Sequence, residues 1–472
     1  MRKDQGIKNK ADWILITLYF SMVIFGIANI HSASNASFDI SIFDISHNTG
    51  KQIMWLGFSL FIGLVILIAD VRILKSSVYI FYVIVCAMLF AVLFMPPING
   101  QKSWFGAGGF GIQPAEFAKI STALVMADFI ARVNIRLQTI RDVVIANFII
   151  LIPGVFIALQ PDAGTLVVFT SFLFVMYREG LTYDPLIVRV INSFPGVRIS
   201  QTWIGSNFIP ILLVIVVISL VTLSIRESEI ILPFTMIPLG GKYIIVTFLI
   251  LIFFLFYTVI RRFAQKRNKT KLIALGAVSA ILLSVLVLGV DYGFENLKQH
   301  QKDRIELALG LLEDPHGRDY NRYRAMSAVG SGGLNGKGYH NATVASPVLN
   351  HVPEQETDFI FCTLSEEWGF LGSFGLIVVF SVFLLRIIVI AERQKTTFSR
   401  VYAYSVAMVL FYHFAINVGM NIGLAPVIGI PLPFFSYGGS SLLSFSIMFF
   451  ILLKLDSERL NMLGSTQKIR IE

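Results

Sequence analysis

The sequence predicts an all-α polytopic membrane protein with about twelve transmembrane helices. Three observations predict it. Hydrophobic residues make up 55% of the 472 positions, charged residues only 14%, and the mean hydropathy is +0.74. Apolar runs near the ~20 residues that cross a bilayer as a helix recur along the whole chain. Lys and Arg gather in every second loop between those runs, as in loops retained on the cytoplasmic side. The net charge of +9 and the pI of 9.4 therefore reflect topology and anionic lipid headgroups, and no nucleic-acid partner is implied. Cys86 and Cys362 lie in apolar runs, with neither metal-ligand nor disulfide spacing, and read as buried structural thiols.

The N-terminal MRKDQGIKNK precedes an apolar run from Trp13 to about Ile30. That run exceeds the roughly 7–15 residues of a signal-peptide core, so it reads as an uncleaved first span with its N-terminus inside. Spans follow at Ile53 to Ile68 and at Val78 to Met95, the latter leading into PPINGQKSWFGAGGFGIQPAEFAK. The fourth begins at Pro114, where proline suits a first helical turn, and ends at the basic ARVNIRLQTIRD. The fifth, Val143 to Leu159, reaches QPDAGT, and the sixth returns to Tyr177 and Arg178. Residues 1–205 thus hold six N-terminal helices, and 206–262 hold a further pair, from Phe208 to Ser224 and ending near Ile260. After RRFAQKRNKTK, the helix within 263–290 delivers the chain to a large polar segment, 291–356. Residues 357–472 return through spans at Phe359 to Ala391, Val401 to Ile422 and Phe434 to Leu453. The positive-inside rule then places both termini in the cytoplasm. It places 97–113, the QPDAGT turn, 291–356 and 423–433 together on the outer face, so every motif-rich segment meets there.

The longest polar stretch carries Asp314 before a Pro-His-Gly turn, then Arg318, Asp319, Arg322 and Arg324, and a glycine-rich piece holding Lys337. Glycines let backbone N–H groups approach an anion, and carboxylates beside cations suit acid–base chemistry on a phosphate-bearing substrate. A solvated connecting loop is the plainer alternative. Glu116 and Lys119 are three residues apart on one side of a helix, about one turn inside the bilayer, where charge is paired or functional. Asp162 stands where proline and glycine interrupt an apolar run, so it lines a cavity, caps the sixth span, or does both. Asp358, Glu366 and Glu367 open the next span, and the adjacent Glu366 and Glu367 must point to different helix faces. NIGLAPVIGIPLPFFSYGGSS reads as a broken or re-entrant segment in which Ser436, Ser440 and Ser441 are placed to bond a headgroup. Close helix packing is the better account of Gly438 and Gly439. Trp104 suits either an aromatic belt or stacking on a sugar ring. These residues describe an outward polar cleft for a lipid-linked anionic headgroup, and they do not separate an enzyme from a transporter.

NGQKSWFGAGGFGIQPAEFAKI, LQPDAGT, EDPHGRDYNRYRAMSAVGSGGLNGKG, TDFIFCTLSEEWGFLG and NIGLAPVIGIPLPFFSYGGSSLL together resemble the bacterial shape, elongation, division and sporulation (SEDS) family. The resemblance covers most of the chain except about residues 180–290, and the GSGGLNGKG variant is more similar to the elongation branch than to the division branch. It implies a core of about ten spans, to which the 206–262 pair is an addition, in the bacterial cytoplasmic membrane with the active site outside. It implies a peptidoglycan glycosyltransferase that polymerises lipid II, an undecaprenyl-diphosphate-linked disaccharide-peptide, in cell elongation and shape maintenance. Asp314 falls at the family's catalytic aspartate, as general base on the acceptor hydroxyl. Lys119, Lys337 and Arg304 are the candidates to stabilise the diphosphate leaving group, while Trp104, Glu116, Asp162 and Tyr320 match family positions. A divalent cation, magnesium or manganese, stays open, since no ligand spacing points to one. Lys102, Ala115 and the run Arg318–Asn321, apart from Tyr320, depart from the family pattern, and Asp319 thereby becomes a second candidate base. The implied partners are a class B penicillin-binding transpeptidase and other membrane proteins of the elongation complex. A lipid II flippase, a structural scaffold and a division-type member are the alternatives.

Overall fold

The computed structural model describes residues 12–34, 41–97, 101–106, 111–132, 139–192, 203–226, 229–231, 238–263, 266–297, 299, 302, 306, 311, 320–346 and 352–469. Helices dominate. In chain order they are α1 (Trp13–Ser34), α2 (Asn48–Ile68), α3 (Val71–Ala91), α4 (Pro114–Ala131), α5 (Ile140–Leu159), α6 (Ala163–Phe169), α7 (Ser171–Arg178) and α8 (Asp184–Asn192). Then come α9 (Trp203–Ser206), α10 (Phe208–Ser224), α11 (Gly241–Phe263), α12 (Lys266–Glu295), α13 (Tyr320–Ser331), α14 (Ile360–Glu392), α15 (Thr397–Asn421) and α16 (Gly439–Ile469). One short antiparallel pair, β1 (Glu229–Ile231) against β2 (Pro238–Gly240), interrupts them. Two compact units result, Met1–Ser206 with Tyr320–Glu472, and Asn207–Asp319.

This is a multi-pass membrane protein. Among the described residues, eight helices are long and apolar enough to cross a bilayer, and Ala163–Arg178 and Phe208–Ser224 are shorter apolar helices. Helix starts follow their capping residues. The Asp70 carboxylate accepts the Arg72 N–H at 2.8 Å, the Thr139 hydroxyl accepts the Asp142 N–H at 3.2 Å, and Pro114 opens α4. In the larger unit the membrane windows of α15 and α16 are 72% and 83% buried, against 17% and 22% for α2 and α3. The first two therefore form the centre of the bundle, and the latter two turn most of their surface to lipid.

An aromatic cluster joins α1, α14 and α16. Tyr19 stacks on Phe449 at 4.4 Å, and Phe434 sits edge-on to Tyr19 at 5.1 Å and to Phe383 at 5.7 Å. Phe434 takes φ +65°, a strained backbone held by this packing. At the opposite end of the bundle, Arg386 and Arg393 each reach Asp12 at 2.9 Å, and Arg393 also bonds Asp456 at 2.5 Å. Burial alone would raise the Asp12 carboxyl, but hydrogen bonds from Arg386 and the Leu15 N–H, with both arginine charges, hold it below its ordinary range.

The apolar run from Phe359 to Ala391 predicts one unbroken span, but Gly369, at φ +65° and ψ −161°, breaks α14. The break is compensated by exchange. The carbonyls of Glu366 and Glu367 accept from the N–H groups of Lys337 and Gly338 at 3.0 and 2.9 Å. In return the N–H groups of Phe370 and Leu371 donate to the carbonyls of Gly333 and Leu334 at 2.9 and 3.2 Å. A glycine-rich turn is thus docked into a helix interruption with those backbone groups satisfied. A Cβ at Gly369 would sit 2.6 Å from the Leu334 carbonyl oxygen in a backbone region that only glycine adopts easily. Gly369→Ala is therefore expected to destabilise the protein by about 2 kcal/mol or more, read as a lowered unfolding midpoint in detergent.

In the smaller unit, Asp291 near the end of α12 is buried between two cations, Arg226 at 3.0 Å and Lys242 at 2.7 Å. Glu295, one turn on, takes a second bond from Arg226 at 3.3 Å. These ion pairs join the ends of α10, α11 and α12.

Candidate active site

The site is built at the end of the larger unit where α4, α6 and α16 begin and α15 ends. Pro114 starts α4, so Glu116 and Lys119 fall in its first two turns, and their i,i+3 spacing makes an ion pair of 2.9 Å. Neither is exposed: Glu116 is 2% and Lys119 0% accessible. A buried pair persists only where further partners satisfy it. The Ser444 hydroxyl donates to Glu116 at 2.8 Å, Lys119 Nζ meets His413 Nε2 at 2.8 Å, and the same ammonium lies 4.7 Å above the Phe445 ring.

Asp162 serves as the cap expected of it. Its Oδ1 accepts the Thr165 N–H at 3.0 Å, and its Oδ2 accepts the Thr165 hydroxyl at 2.8 Å and the Gln113 side-chain amide at 3.0 Å. Burial, partly offset by the Thr165 hydrogen bonds, raises its carboxyl above the ordinary range. α6 packs closely on the irregular segment between α15 and α16: a Cβ at Gly164 would meet the carbonyl oxygens of Ile428 and Gly429 at 3.0 and 3.2 Å. A Cβ at Gly429, in turn, would lie 3.1 Å from Asp358 Oδ2, so Asp358 and Asp162 approach the same short stretch of backbone. Burial, then the charges of Glu354 and Asp162, pushes the Asp358 carboxyl up to about 7.

That shift has a sign. Below pH 7 the folded protein keeps a proton on Asp358 that the unfolded chain has already lost above about pH 4, so stability falls as pH rises between those values. Asp358→Asn is expected to flatten this dependence and to raise the unfolding midpoint at pH 8 by a few degrees relative to wild type. Thermal unfolding at pH 5, 6.5 and 8 checks it; parallel curves for the two proteins would refute the assignment.

One row of residues on α15 was not singled out by sequence reasoning. His413, Asn417 and Asn421 are one turn apart, all buried, and all aimed at the irregular segment or the α14 entrance. Asn417 Nδ2 donates to the carbonyls of Ile430 at 2.7 Å and Asp358 at 2.8 Å, and His413 Nδ1 contacts the Pro431 carbonyl at 3.2 Å. The signal was available as three polar residues at i, i+4 and i+8 in an otherwise apolar span.

The remaining predicted residues have partners of their own. Glu366 is 0% accessible and accepts from Lys337 Nζ at 2.5 Å, from the N–H groups of Thr343, Val344 and Ala345 at 2.8, 2.8 and 2.7 Å, and from the Thr343 hydroxyl at 3.0 Å. Lys337 also donates to Ser331 and Thr343 at 2.9 and 2.6 Å, so this pair clamps the glycine-rich turn. Glu367 points the other way, to the Ser32 hydroxyl and the His340 N–H. Ser436 Oγ accepts from the Leu432 N–H at 2.8 Å, an internal tie of the segment, and Ser440 is buried in the first turn of α16. Trp104 is half-buried beside the Phe105–Ile112 bridge, its ring packed against Gly111. Tyr320 opens α13 with the Arg324 guanidinium 4.9 Å above its ring. Arg304, Asp314 and Asp319 lie outside the described residues. Among the described residues, no group of three or more His, Cys, Asp or Glu side chains is arranged to hold a metal ion.

The FtsW, RodA and SpoVE family of cell-cycle proteins matches residues 12–203 and 292–461. The chain belongs to this family. The two matched stretches leave out 204–291, which contains α10, α11 and most of α12. Among family members, the peptidoglycan glycosyltransferase RodA of Treponema pallidum is 28% identical over 474 residues, covering 95% of this chain and 98% of that one. The peptidoglycan glycosyltransferase MrdB of Escherichia coli K12 is 29% identical over 380 residues, covering 80% and 77%. The fold is shared with a chain of a solved peptidoglycan synthase complex, at a TM-score of 0.62 and 23% identity over 95% of this chain and 98% of that one. It is shared too with the rod-shape-determining protein RodA of Thermus thermophilus, at a TM-score of 0.55 and 21% identity over 95% and 97%.

Proposed function

We propose that this protein is a peptidoglycan glycosyltransferase of the elongation type, polymerising lipid II into glycan strands. The observation that carries the reading is the likeness, over nearly the full length of both chains, to a relative named for that activity. The geometry supports it, because Gln113, Asp162, Asp358 and the Gly429–Pro431 backbone gather above a buried ion pair at one end of the bundle. In this reading Asp314 removes the proton from the acceptor hydroxyl, the resulting oxygen attacks the anomeric carbon of the donor sugar, and polyprenyl diphosphate departs. Of the cations the sequence offers for the leaving group, Lys119 and Lys337 are held by internal partners, and Lys119 acts as a fixed charge behind the wall.

The topology proposed is about twelve spans in the bacterial cytoplasmic membrane, both termini inside and the site outside. The partner proposed is a class B penicillin-binding transpeptidase, a reading supported by the shared fold with a subunit of a synthase complex that couples polymerisation to crosslinking. Purified protein reconstituted with that transpeptidase and fluorescent lipid II is expected to yield a ladder of glycan strands. No ladder from a verified complex, with lipid II crossing the vesicle bilayer instead, would replace the enzyme by a flippase.

A further inference from the structure

We propose that His413 is a positioning residue for this reaction, holding the buried Lys119 ammonium in register with the wall of the site. The inference rests on the glycan-polymerase reading and deepens it. An ammonium has three N–H donors and no acceptor. In Lys119 they meet Glu116 at 2.9 Å, His413 Nε2 at 2.8 Å and the face of Phe445 at 4.7 Å, so one direction depends on the imidazole alone. A charged lysine must donate to Nε2, which makes His413 the neutral tautomer with its proton on Nδ1. That proton then points at the Pro431 carbonyl, 3.2 Å away.

The imidazole thus bridges two parts that sequence separates widely. On one side is the cation of α4, whose charge is felt by Asp162. On the other is the Gly429–Pro431 backbone, which passes beside Asp358 and α6 and is held one turn further along α15 by Asn417. Glu116, Lys119 and the more distant Asp162 are the charged groups of this network. A residue that kept the volume but lost the acceptor would leave one ammonium direction unmet and release Pro431, loosening the stretch of wall that passes beside Asp358 and α6.

The test compares wild type, His413→Leu and His413→Gln, each reconstituted with the transpeptidase, for lipid II polymerisation and for unfolding midpoint. Gln can accept from Lys119 and donate to a carbonyl, and Leu can do neither. His413→Leu is expected to lose about tenfold or more in kcat with KM for lipid II within about twofold, and His413→Gln to recover most of the rate. Should His413→Leu yield no folded protein, His413→Phe supplies a ring without the acceptor. A leucine or phenylalanine variant at wild-type kcat overturns the proposal, as does a glutamine variant no better than leucine. Absence of polymer from wild type would instead refute the polymerase reading itself.

Discussion

Asp314→Asn is expected to abolish glycan polymerisation, a loss of roughly 10²–10⁴-fold if the carboxylate is the general base. An amide keeps the size and most hydrogen bonds of the side chain but cannot take a proton, so the variant isolates the chemistry from the fold. Asp319→Asn is expected to keep most of the rate. The two acids are five positions apart in a chain whose sequence around them departs from the family pattern, which makes the paired measurement informative. Lipid II polymerisation by both variants, with transpeptidase binding as the control for folding, decides between them. An inactive Asp319→Asn beside an active Asp314→Asn would move the base to Asp319. Glycan synthesis kept by Asp314→Asn while lipid translocation is lost would defeat the enzyme reading.

Lys119→Met is expected to destabilise the fold by about 3–5 kcal/mol, because it leaves the Glu116 carboxylate buried without its partner. Removing both charges should behave differently. Glu116→Gln with Lys119→Met is expected to recover most of the stability, since a buried pair offsets little more than its own desolvation. Polymerisation by the double variant should stay low, because the fixed charge near Asp162 is gone. Unfolding midpoints in detergent and turnover of lipid II separate the two effects. A single variant as stable as wild type would mean that the pair is wetter than the structure places it.

Much of this arrangement could be read from residue spacing. The i,i+3 pair of Glu116 and Lys119 and the opposed directions of Glu366 and Glu367 follow from helical periodicity, and the Asp162 cap from the proline and glycine that break the run; all of these signals are local. What spacing could not supply were partners from afar. Glu366 is saturated by backbone N–H groups at 343–345, and a backbone donor has no signature in sequence. The break at Gly369 was hidden for a similar reason, since the apolar run continues through it and only the docked turn reveals why a helix would stop there. Trp104 had two uses by sequence, and the structure adds a third, packing on Gly111. His413 is legible in the sequence as well, because a lone imidazole in an apolar span needs a partner, and Lys119 is the fully buried cation across from it.

The clamp on Glu366 bears on how the chain is assembled in the membrane. Its hydrogen bonds join residues only 21 to 29 positions apart, all within the piece that runs from α13 into α14. Loop closure over so short a span costs little chain entropy. The glycine-rich turn and the helix it interrupts can therefore settle together as soon as that piece leaves the translocon, before α15 and α16 exist to enclose the ion pair of α4. Two stages of biogenesis are therefore expected, an early local one on the face that carries the turn and a late one that seals the centre. Stalled nascent chains ending just after α14 should already protect the glycine-rich turn from protease, and chains carrying Glu366→Ala should not.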